Sequence, residues 1–136
     1  MIFAPSKNTK LSNSIKYRSR EPEAWLVEAY KNYDVITDYV TSDGIYLCMA
    51  NVFIKDSKLD RTYYASIELN GVAASRSTQR GTGAYNISMP LCTVIECRAN
   101  DKIQILAQAN YIASGESNAG IAGAEYRLIK LPSTLY

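Results

Sequence analysis

Residues 44–54 read GIYLCMANVFI. From Ile45 to Ile54 the run is almost wholly apolar, with Asn51 as the one amide in it. Ten residues is long for a strand and short for a helix, so length alone does not decide. Composition and flanks do. Tyr46, Val52, Phe53, Ile45 and Ile54 are β-branched or aromatic, and Ser42-Asp43-Gly44 supplies a turn just before them. The stretch therefore reads as a strand covered on both faces.

Working outward, the next segment is TYYASIEL (62–69). Tyr63, Ala65, Ile67 and Leu69 alternate with Thr62, Tyr64, Ser66 and Glu68, the pattern of a strand with one dry and one wet face. Asn70-Gly71 follows at once and supplies the positive φ angles of a tight hairpin turn. KIQILAQANYI (102–112) alternates Ile103, Ile105 and Ala107 against Gln104, Leu106 and Gln108, after a turn at Asn100-Asp101. AEYRLIKL (124–131) alternates too and stops at Pro132. NISMPLCTVIECR (86–98) is a long strand in which Pro90 requires an edge position or a bulge. AWLVEAY (24–30) and YDVITDYV (33–40) complete the strand set, while SRSTQRGTG (75–83) and ASGESNAGIAG (113–123) read as polar, glycine-bearing loops. No helix of two turns is visible. Seven to ten short strands at this spacing predict an all-β antiparallel sandwich or jelly roll.

The whole chain has 136 residues, with 47% hydrophobic and 21% charged, which is one globular domain and not a disordered or fibrous chain. Eleven tyrosines against two phenylalanines and one tryptophan suit half-buried strand positions. There is no histidine, which removes the commonest general base, the usual partner of a nucleophilic Ser or Cys, and the commonest zinc ligand. No enzyme is expected and no catalytic residue is assigned. Cys48, Cys92 and Cys97 lie in apolar runs with no zinc or iron–sulfur spacing. They read as small core residues, with Cys92 and Cys97 on opposite faces of one strand. Neither a signal peptide nor a membrane-length apolar run is present, so cytoplasmic synthesis and no membrane partner are expected.

Other constellations carry less. Asp34 and Asp38 fall four apart on one strand, about 13 Å along it, too far for a glycosidase pair, and surface solvation is the expected role. No acid-rich glycine loop marks a cation site. The 75–83 loop lacks the Gly-Lys-Ser/Thr ending of a phosphate cradle, although Arg76 and Arg80 suit a carboxylate or glycan contact. Net charge is +2, yet residues 1–20 carry Lys7, Lys10, Lys16, Arg18 and Arg20 without an acid; subtracting this +5 leaves −3 on the other 116 residues. Residues 1–23 are expected to form an extended basic arm before a body at 24–136. Three readings compete for the arm: a protein anchor, a nucleic-acid tail and a solvated leader. Five cations are few for nucleic acid, which is disfavoured. Phe3, Leu11 and Ile15 among Lys7, Lys10, Lys16, Tyr17, Arg18 and Arg20 favour docking on a protein.

Taken together, GIYLCMANVFI, the strand ending in ELNG (68–71), SMPLCTVIECRANDKIQILAQ (88–108) and EYRLIKL (125–131) resemble the jelly roll of the tumour necrosis factor and complement globular-head superfamily. Gly44 and Tyr46, Asn70 and Gly71, and Asn100 and Asp101 occupy the places of that family's Gly-x-Tyr strand and turns. Cys48 replaces the family's aromatic, and the collagen-like stalk of secreted members is missing. The resemblance implies a homotrimer, with Tyr46, Cys48, Met49, Val52, Phe53, Ile54, Tyr126 and Leu128 assigned to core and trimer packing. It also implies a non-enzymatic virion protein, since similar domains occur as trimeric modules on bacteriophage particles. A capsid decoration or head-fibre protein, anchored by its arm to a major capsid or other virion protein, is the leading expectation. With Met1 taken as the start and no shaft-like repeat, it is preferred to a tail-fibre tip that binds a host surface glycan or protein. For such a tip, Arg76, Arg80, Ser114, Glu116 and Asn118 are the ligand-loop residues. A small jelly-roll capsid protein and a secreted cytokine-like ligand rank lower. No metal or other cofactor is expected.

Overall fold

The computed structural model describes residues 15–20, 24–25, 30–55, 57, 59, 61–83, 86–110 and 120–132. Among the described residues, nine strands follow in order: β1 (Ile15–Arg20), β2 (Ala24–Trp25), β3 (Tyr33–Tyr39), β4 (Gly44–Lys55), β5 (Thr62–Leu69), β6 (Val72–Arg80), β7 (Ile87–Cys97), β8 (Lys102–Ala109) and β9 (Gly120–Lys130). One sheet has the order β1-β9-β4-β7, with β2 also paired to β9, and the other has β3-β8-β5-β6. All pairings are antiparallel. The chain passes between the sheets at β2–β3, β3–β4, β4–β5, β6–β7, β7–β8 and β8–β9, which is the winding of a jelly roll.

The core lies between the sheets. From β4 it takes Tyr46, Cys48, Ala50, Val52 and Ile54; from β5, Tyr63, Ala65 and Ile67; from β8, Ile103, Ile105 and Ala107; and from β9, Ala124, Tyr126 and Leu128. Alternation in β5 and β8 places these residues in the core as the sequence pattern predicts, although Ser66 and Leu106 on the opposite face are buried as well. Two turns hold one end of the sandwich. Asn70 (φ 50°) and Gly71 (φ 86°) close the β5–β6 hairpin, and Asn100 (φ 75°) turns the chain into β8. Asn70 Nδ2 donates to Asp101 Oδ1 at 3.0 Å, Arg98 N–H donates to Asp101 Oδ2 at 2.8 Å, and Lys102 N–H donates to Asn70 Oδ1 at 2.9 Å. These bonds tie the β5–β6 hairpin turn to the β7–β8 connection, which passes from the first sheet to the second.

Five expectations need correction. The segment read as an arm enters the fold: Ile15–Arg20 pairs with β9 from Ile15↔Ile129 to Arg20↔Ala124, because β9 would otherwise lack a neighbour along that edge. The supposed loop at 75–83 is mostly β6, since the Asn70-Gly71 turn sends the chain straight back along β5 as far as Thr62↔Arg80. An edge strand tolerates such a polar sequence because it need bury little on either face. The loop at 113–123 likewise ends sooner, with Gly120 already in β9. The strand at 24–30 is described only at Ala24–Trp25, and Tyr30 sits in a turn with φ 57°. Asp38 is buried, not solvated. A β-bulge between Asp34 and Ile36 adds a residue to β3, so Asp34 faces solvent while Asp38 turns into the core.

Candidate interaction surfaces

β4 is central in its sheet, and its two faces differ. Its even-numbered residues from Tyr46 to Ile54 are buried, whereas Ile45, Leu47, Met49, Asn51 and Phe53 point outward and are only half covered. Both sides of the strand are therefore apolar, but within one chain only the inner side is closed. Register extends the outer side across three strands. Leu47 stands between Val94 of β7 and Ile129 of β9, Met49 between Cys92 and Arg127, and Phe53 between Ser88 and Gly123. Val94 is 59% exposed. Asn51, the polar interruption, accepts a 2.8 Å hydrogen bond from Ser88 Oγ. The result is a largely apolar strip on β4 and β7, with Glu96 beside Ile45, Arg127 beside Met49 and Glu125 beside Asn51.

The residues assigned to core and trimer packing separate along this division. Tyr46, Cys48, Val52, Ile54, Tyr126 and Leu128 are interior. Met49 and Phe53 are on the outer face. Leu47, Val94, Ile129 and Cys92 belong to that face as well, and the parity of β4 together with the alternation around Pro90 could have identified them. Pro90 occupies the edge strand β7, where the missing amide costs no ladder bond on the open side.

Not all three cysteines are core residues. Cys92 is exposed on the outer face, while Cys48 and Cys97 are buried, and all three are free. Burial, then the neighbouring Cys97, Cys92 and Asp38, pushes the Cys48 thiol up to about 12. Burial and then Asp101 raise Cys97 to about 11. Cys48 lies opposite Thr93 and Cys97 opposite Gly44, four positions apart along the pair, so they cannot bridge. Among the described residues, no three of Cys, Asp and Glu gather to hold a metal ion.

The most unusual interior contact joins the sheets. Tyr126 Oη, on β9, donates to Asp38 Oδ2, on β3, at 2.9 Å, and the Tyr39 N–H donates to Asp38 Oδ1 at 2.9 Å. Asp38 is 3% exposed and Tyr126 is fully buried. A buried carboxyl group of this kind is retained only where donors meet it. The contact ties β9 of the first sheet to β3 of the second.

Arg76 and Arg80 stand on β6, exposed on the outward side of the second sheet, and not in a loop. Ser114, Glu116 and Asn118 lie outside the described residues, as do Phe3, Lys7, Lys10 and Leu11. Ile15, Lys16, Tyr17, Arg18 and Arg20 are in β1.

No protein-family model matches the chain, and no curated protein matches it in sequence. Solved structures do match. The globular domain of zebrafish complement 1qA protein superposes with a TM-score of 0.66 at 9% identity, covering 88% of this chain and 97% of that one. Murine APRIL, in a crystal structure at pH 5.0, superposes with a TM-score of 0.52 at 20% identity, covering 70% and 72%. Identity this low establishes architecture alone, and the architecture is the jelly roll of complement globular heads and tumour necrosis factor-like proteins.

Proposed function

We propose that this chain is a non-enzymatic, homotrimeric structural protein of a bacteriophage particle, a capsid decoration or head-fibre protein attached through the segment that precedes β1. The observation that carries the assembly is the outer face of the β1-β9-β4-β7 sheet. Leu47, Met49, Phe53, Val94 and Ile129 form an apolar strip that one chain leaves half open, and copies related by a three-fold axis would close it. The particle setting is supported by the resemblance to phage trimeric modules and by the absence of histidine and of a metal-ligand motif. In this reading Phe3 and Leu11 supply apolar anchors, and Lys7 and Lys10 supply charge for an acidic virion surface.

Immunogold electron microscopy on particles of the virus that encodes the sequence tests the location. Gold over the head supports the decoration reading, and unlabelled particles overturn it. Gold at the tail tip would instead support the receptor-binding alternative, which the exposed Arg76 and Arg80 favour.

A further inference from the structure

The second sheet carries an outward surface distinct from the apolar strip of the first. By register, Tyr64 of β5 lies between Gln108 of β8 and Thr78 of β6, and Ser66 lies beside Arg76 in the next row. Positions 76, 78 and 80 of β6 are exposed while 75, 77 and 79 are partly covered, so Arg76 and Arg80 share the outward side with Thr78 and Tyr64. Strand geometry sets the two arginines about 13 Å apart, each diagonal to Tyr64 at about 7–8 Å between backbones. Neither makes an ion pair or side-chain hydrogen bond with any described residue. Ser66 is only 8% exposed, lower than its longer neighbours, and its hydroxyl likewise has no partner among the described residues. Gln108 is held by a hydrogen bond from its Nε2 to Asn32 Oδ1.

We propose that this face binds an acidic oligosaccharide laid along β6, with Arg76 and Arg80 each pairing with a sugar carboxylate and Tyr64 stacking on the ring between them. Guanidinium groups pair carboxylates bidentately, and among the described residues neither arginine has such a partner. An aromatic ring flanked by the hydroxyls of Ser66 and Thr78 and the amide of Gln108 matches a sugar ring, which offers an apolar face and a polar rim. A nucleic acid would need a denser cation track than two charges. An acidic peptide would use the charges and leave the ring idle. The site is complete in one chain and rests on strand register, so it stands or falls apart from the trimer and particle assignments. It also supplies a ligand class for the receptor-binding alternative.

Calorimetric titration of the full chain with hyaluronan hexasaccharide, which carries a carboxylate on alternate sugars, tests it against chitohexaose, which carries none. The acidic sugar should bind at least about tenfold tighter, and Arg76→Ala and Arg80→Ala should each weaken it by about tenfold. Lysine at either position should restore only part, because it keeps the charge and loses the fork. Tyr64→Ala should weaken the hexasaccharide but not poly-glutamate, which separates sugar recognition from plain charge attraction. These side chains are solvent-facing, and unchanged circular dichroism and melting will confirm folding of each variant. No binding of the hexasaccharide, equal binding of the two sugars, or full binding by the Arg76→Ala/Arg80→Ala double variant overturns the proposal.

Discussion

Tyr126→Phe removes one oxygen from the centre of the sandwich and is expected to cost more than its size suggests. The phenol donates to Asp38 Oδ2 at 2.9 Å across the gap between the sheets. Phenylalanine fills the same volume, so no cavity term enters. What is lost is a hydrogen bond to a carboxyl group that solvent does not reach, worth about 1.5–3 kcal/mol. For a domain of this size, 1 kcal/mol is about 4 °C in Tm, so the melting point should fall by about 6–12 °C. The assay is thermal unfolding followed by circular dichroism at one fixed protomer concentration, because assembly itself moves Tm. Asp38→Asn and the double variant complete a cycle, and the coupling should reach about 1 kcal/mol or more. A Tm change under about 2 °C, or additive effects in the cycle, would refute the bridge as a stabilising contact.

Three further outcomes follow from the same geometry. Leu47→Asp on the outer face should lower the solution mass to that of one chain while leaving the circular dichroism spectrum intact; a variant that remains assembled would remove this strip from the interface. Thiol titration at pH 8 should leave Cys48 and Cys97 silent until denaturant is added, since burial raises both and keeps them protonated. Their folded values lie above the unfolded 9.0, so the stabilisation is complete below pH 9 and declines as pH rises towards 11 and 12; rapid labelling of either in native protein would contradict this. Asp101 behaves oppositely. The Arg98 N–H and then the Asn70 amide hold its carboxyl below the ordinary value, so its contribution is present above the unfolded pKa and lost as pH falls through the folded one. The Tm gap between wild type and Asp101→Asn should narrow on acidification from pH 6 to pH 2, and a constant gap would refute it.

The strand order along the chain was legible because burial writes itself as period two. Tyr63, Ala65 and Ile67, and Ile103, Ile105 and Ala107, needed no tertiary information. Asn70-Gly71 was equally plain, because few residues accept its backbone angles. Edges were harder. β6 is VAASRSTQR, with little apolar content, and only its partner β5 makes it a strand. The same holds for β1, whose pairing with β9 joins residues more than one hundred positions apart. The bulge in β3 was also invisible, and with it the inward turn of Asp38, since an inserted residue leaves no mark in composition. For the candidate surfaces, residue types were legible and their faces were not. Met49 and Phe53 were grouped with Tyr46 and Cys48 because a wholly apolar run hides its parity. Arg76 and Arg80 are exposed, but only the pairing of β6 with β5 shows that they stand on a strand and not in a loop.

Light scattering on the full chain measures the assembly itself. A homotrimer that buries the half-covered strip around Leu47, Phe53 and Val94 should have a mass near three times 15.1 kDa at micromolar concentration. A mass of 15.1 kDa that does not rise with concentration would contradict it.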